Sequence, residues 1–216
     1  MARATIPESD VDLLEFPLNL EYLEAEFFLF GSLGHGLDVV APNLTEGGPP
    51  PIGGKLAKLD NFVKDVIFQF ALQEVGHLRV PRPLLDLSAT SFAQLVAGLL
   101  GVESGQDAVI RALLYEHRAS LVHPYGLSVE VFTDRISMLR NKLGNKDLKD
   151  EGLIVPKVEG AEGNILAGDI NSLAYPRTPE EILRIIYGGG DEHFPGDFYS
   201  RGASGRIATS YLNFTT

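Results

Sequence analysis

Apolar residues recur at intervals of three and four in four stretches of the chain, the period of a helix that buries one face. In the first stretch Leu14, Leu18, Glu21, Ala25 and Phe28 form one stripe. Ser9 and Asp10 stand where N-caps belong, and Gly31, Gly34 and Gly36 follow as a stop, which predicts a helix over about 9–30. Pro17 kinks this helix or sets its true start. In the second stretch the stripe is Val63, Ile67, Phe70, Glu74 and His77, predicting a helix over about 54–79 that stops before Pro81. The third is Phe92, Val96, Leu99, Glu103, Gln106, Ile110 and Leu113, capped by Thr90 or Ser91 and reaching about 122. A turn at His123-Pro124-Tyr125-Gly126 leads to a fourth helix over 128–143, capped by Ser128 and closed by Gly144.

The connecting stretches carry turn chemistry. Gly47-Gly48-Pro49-Pro50-Pro51 makes 37–54 a loop, Pro81-Arg82-Pro83 is a second break, and 145–177 reads as irregular. Thr178-Pro179-Glu180-Glu181 is a helix start: N-cap Thr, Pro at the first position, Glu at the third. It opens a short helix near 179–187 that ends at Gly188-Gly189-Gly190. The Gly-rich tail reads as loop over the surface. The fold class is therefore all-α, with a helical bundle over 8–144 and a mostly irregular C-terminal extension over 145–216.

Three of the apolar stripes are interrupted by the same kind of group: Glu21, then Glu74 with His77, then Glu103 with Gln106. Residues three apart share a helix face, so Glu74-x-x-His77 lies on the face that periodicity sends inward. A buried carboxylate is costly unless it is paired or bound to metal. Several of them converging would repel, and a cation removes the repulsion. Carboxylates with imidazole suit iron, manganese and zinc, and Glu-x-x-His is a means by which helical bundles present metal ligands to their interior. The bland alternative is a Glu that is hydrogen-bonded, salt-bridged or reaching water. That is the commoner outcome for any one such residue, and its recurrence on three helices weighs against it. Glu24 is one position off its stripe, a surface charge or a group behind the ligands. Glu116 and His117 are adjacent and expected in solvent, and His35 and His123 are expected at helix ends. The run of glycines at 188–190 has no preceding strand and no following Lys-Ser/Thr, so it is not a phosphate loop.

Composition narrows the classes further. The 216 residues carry a net charge of -11, with no basic run, against a nucleic-acid partner. The absence of Cys excludes disulfides, thiolate ligands and cysteine nucleophiles. No apolar stretch approaches the roughly 20 residues of a membrane span, and Met-Ala-Arg-Ala-Thr lacks the apolar core of a signal peptide.

Four segments carry a resemblance. They are residues 10–28, containing Asn19-Leu20-Glu21; Gln73-Glu74-Val75-Gly76-His77-Leu78-Arg79; Leu100-Gly101-Val102-Glu103-Ser104-Gly105-Gln106-Asp107; and Arg177-Thr178-Pro179-Glu180-Glu181-Ile182-Leu183. In these the chain resembles the desiccation-related proteins of plants, a family of the ferritin-like superfamily associated with drought and dehydration. The resemblance implies an antiparallel bundle in which Glu21, Glu74, His77 and Glu103 stand like di-iron ligands. Gln106 stands where a second Glu-x-x-His would place its His, leaving the site incomplete. It also implies that one family helix is missing here. Relatives carry a further apolar segment of some tens of residues between the equivalents of Val96 and Ala97, and a few more between Arg79 and Val80. The third helix would then be a fusion of two elements, and the faces left uncovered would favour self-association. Family members are usually secreted. Two functional expectations result. One is a stress-associated ferritin-like protein whose incomplete di-metal site holds iron or manganese and consumes peroxide or oxygen. The other is a non-enzymatic protective or binding protein whose site is a relic without metal. The missing His and the missing helix favour the second.

Overall fold

A computed structural model describes residues 8–80, 89–145, 147–154 and 160–212. Its helices are α1 (Glu8–Leu33), α2 (Leu37–Val40), a 3-10 turn (Pro42–Leu44), α3 (Asn61–His77), α4 (Ala89–Glu116), α5 (Val129–Gly144), α6 (Pro179–Ile186) and α7 (Arg206–Thr209). One antiparallel pair, β1 (Leu121–Val122) and β2 (Leu127–Ser128), interrupts the all-α pattern. The chain divides into two compact units, Met1–Leu99 with Ala203–Ser210, and Leu100–Gly202 with Tyr211–Thr216. The break at Pro81-Arg82-Pro83 and the tail beyond 212 lie outside the described residues.

The first unit is built on α1 packed against α3. Phe16, Ala25, Phe28 and Leu29 of α1 and Phe70, Ala71 and Val75 of α3 are its buried apolar residues. Phe28 meets Phe70 edge to face at 5.9 Å, a geometry that adds about 0.5–1.5 kcal/mol to plain burial. Pro17 sits inside α1 without ending it, and Ser9 and Asp10 are helical residues rather than caps. The expected loop over 37–54 contains two short turns, because burying Leu37, Ala41 and Leu44 holds it down. Gly36 has no room for a side chain: a Cβ would collide with the Glu26 carboxylate and come within 2.7 Å of the Phe30 ring. Glu26 accepts the Leu37 N–H at 3.2 Å. Burial pushes its pKa up, with Asp38 adding to the rise and the Leu37 bond opposing it.

Two expectations in this unit are corrected. The second long helix, α3, begins at Asn61 rather than near residue 54. Asp60 caps it, accepting the Val63 N–H at 2.9 Å. The preceding residues are held instead by α1: Ala57 N–H donates to the Gly31 carbonyl at 3.0 Å, and Gly54 lies against the Phe30 ring. The tail is not only loop. α7 packs on α1, where the Asn19 amide donates to the Ser204 carbonyl at 2.9 Å and its oxygen accepts the Ser204 N–H at 2.8 Å.

The second unit corrects the end of the third helix. α4 stops at Glu116, short of the expected Val122. Arg118 then stacks on the Tyr115 ring at 4.4 Å, and the β1–β2 hairpin pairs Leu121 with Ser128 and Val122 with Leu127. His123 therefore sits in a hairpin turn, not at a helix end. Val96, placed on the buried stripe by periodicity, is exposed, as are Leu100, Val102 and Val109 of the same helix. α5 ends with Asn145 in the left-handed region (φ 52), so Asn145 and not Gly144 is its C-cap. The α6 start is as expected. Thr178 Oγ1 accepts the Glu181 N–H, and Glu181 accepts the Thr178 N–H at 2.7 Å. Buried Arg111 holds the irregular extension by donating to the carbonyls of Glu151, Gly152, Asn164 and Ile165.

Candidate metal centre

The last turn of α3 carries Glu74 and His77 on one face, three residues apart. Phe70, Ala71 and Val75 fix that face inward, and Glu74 is fully buried with them. On α1, Glu21 lies one turn before Ala25, whose exposure is 0%, so packing of the two helices brings Glu21 to the same place. His77 Nδ1 stands 2.9 Å from Glu21 Oε2 and 3.0 Å from Glu74 Oε2. The Glu21 and His77 side chains are each 13% exposed.

One imidazole nitrogen has at most one hydrogen, so the two carboxylates share a single donor at Nδ1. The spacing also suits something else. Two donors held at right angles on one ion, with bonds of about 2.1 Å, stand about 3.0 Å apart. Glu21, Glu74 and His77 each offer a ligand atom, all within 4.8 Å of one another. Oxygen and imidazole donors suit iron, manganese and zinc, so these residues would fit such an ion.

Glu103 and Gln106 belong to the second unit, on α4. They share a face by their spacing; Glu103 is half-buried and Gln106 is 4% exposed. Glu24 is half-buried, and Glu116 and His117 are exposed. The sequence reading passed over a second grouping, Asp191-Glu192-His193, whose ligand atoms also lie within 4.8 Å. The bare Asp-Glu-His run was its only signal. Its central carboxylate is already engaged: Arg184 donates to both oxygens of Glu192, at 2.6 and 2.8 Å. Those bonds hold the Glu192 carboxyl down to about 2, against the opposing pull of burial. His193 Nδ1 meets the Tyr211 carbonyl at 2.5 Å.

The helices and the carboxylate–imidazole site define a ferritin-like protein, and a family model for the ferritin-like domain matches residues 9–90, a span that includes Glu21, Glu74 and His77. The chain belongs to the desiccation-related proteins of plants within that class. It is 45% identical over 271 residues to the ferritin-like catalase Nec2 of Nesocodon mauritianus, covering 96% of this chain and 87% of that protein. It is 45% identical over 265 residues to the desiccation-related protein PCC13-62 of Craterostigma plantagineum, covering 93% and 85%. Both matched spans are longer than the 216 residues of this chain, so both relatives contain internal residues with no counterpart here. No solved structure matches.

Proposed function

We propose that Glu21, Glu74 and His77 hold iron or manganese, and that the loaded protein breaks down hydrogen peroxide. The observation that carries this reading is His77 Nδ1 within 3.0 Å of two carboxylates, one of them fully buried. The catalase name belongs to a relative at 45% identity and supports the choice of substrate. Two peroxide molecules give two waters and one dioxygen, one molecule being oxidised and the other reduced. A bound redox metal supplies the electron exchange this requires. The protein's part is to hold the donors converged at the packed face of α1 and α3. Ligation through Nδ1 places the imidazole hydrogen on Nε2.

The relic reading is favoured by two observations, the amide of Gln106 where the resemblance would place a second imidazole and the relatives' internal residues that have no counterpart here. Metal analysis separates the two readings. Protein purified without chelators is expected to contain iron or manganese and to consume peroxide, and Glu74→Ala and His77→Ala to lose both properties. Absence of iron, manganese and zinc, with none taken up on titration, would leave the relic reading. Metal without peroxide consumption would remove the catalytic half of the proposal.

A further inference from the structure

We infer that this chain builds a centre for one metal ion, whereas the di-iron arrangement of ferritin-like proteins takes two; the inference rests on the metal-site reading above. Two carboxylate oxygens, of Glu21 and Glu74, stand 2.9 and 3.0 Å from His77 Nδ1, the spacing of neighbouring ligands on a single ion. Two ions in a carboxylate site stand about 3.5–4 Å apart and need a second set of donors.

The chain has few imidazoles for such a set. It contains five His. His117 and His123 are exposed, and His193 Nδ1 is engaged by the Tyr211 carbonyl. His35 follows α1, fourteen residues beyond Glu21, on the order of 20 Å along a helix. That leaves His77 as the imidazole of the site. Gln106 offers a neutral amide that cannot become an anionic ligand. The relatives' internal residues that have no counterpart here offer nothing in this chain.

The test is stoichiometry. The protein is loaded anaerobically with Mn(II) or with Fe(II), desalted, and assayed for metal per chain, and the Mn(II) form is examined by electron paramagnetic resonance. One ion per chain with the six-line signal of an isolated Mn(II) is expected. Gln106→Ala should keep that value, and Glu21→Gln should weaken retention at least tenfold while circular dichroism stays unchanged. Two ions per chain, or the signal of an exchange-coupled pair, would overturn this inference and leave the metal-site reading standing. Retention of neither metal would overturn both.

Discussion

Both units bury carboxylates, and they balance them in different ways. In the second unit three acids each have a cation of their own. Lys149 Nζ stands 2.8 Å from Glu181, Arg184 grips Glu192, and Arg140 reaches Asp150 at 2.9 Å. In the first unit Glu21 and Glu74 converge on a single imidazole. A chain that dedicates a cation to an acid fixes its own structure. A chain that gathers acids around one imidazole leaves a place for a charge from outside. Burial of a Glu alone therefore does not separate a structural pair from a ligand; the partner does. For Glu181, burial works to raise the pKa, and the Lys149 and Thr178 bonds outweigh it, so the net direction is downward.

The sharpest way to break this contrast is to remove a dedicated cation. Lys149→Ala leaves Glu181 buried beside no ammonium and should cost about 3–5 kcal/mol in denaturant unfolding. A cost below about 1 kcal/mol would show that the pair is not structural. Acid titration comes next. Glu192 is held at about 2 against an ordinary 4.5. Its contribution is thus complete above pH 4.5 and fades as pH falls toward 2, amounting to at most about 3 kcal/mol. Arg184→Gln should flatten that part of the stability–pH curve. The smallest effect is expected in the first unit. With chelator present, Glu74→Gln relieves repulsion with Glu21 and should change stability by no more than about 1 kcal/mol, or raise it. If it costs as much as Lys149→Ala, the two units do not differ in the way described.

Much of this was legible in the sequence where the cause is local. The capping box at Thr178 and Glu181 depends on residues three apart, and it forms as written. The three-residue spacing of Glu74 and His77 put both on the inward face, and burial of Glu74 follows from Phe70, four residues earlier on the same stripe. Where the competitor was distant in sequence, the reading failed. Residues 55–59 look like the first turns of α3, but the Gly31 carbonyl and the Phe30 ring hold the chain there, and Asp60 starts the helix instead. Val96 continues a perfect stripe and yet is exposed, because periodicity says which residues share a face and not whether anything covers it. Asp191-Glu192-His193, which the sequence reading passed over, carries ligand-type residues, but Arg184, eight residues away, occupies Glu192. The hairpin was hidden because two-residue strands have no period to detect, although Pro124-Tyr125-Gly126 between Leu121-Val122 and Leu127-Ser128 marks the turn.

The pairing of Asn19 with Ser204 spans 185 positions of sequence, and this orders events during synthesis. A chain emerges N-terminus first at about 5–20 residues per second, so α1 and α3 leave the ribosome on the order of ten seconds before Ser204 does. The helix that carries Glu21 is therefore among the first parts made, and its bond to Ser204 is among the last to form. A product released before Ala203 would possess Glu21, Glu74 and His77 but not the bond that anchors Asn19, two residues from the first of them.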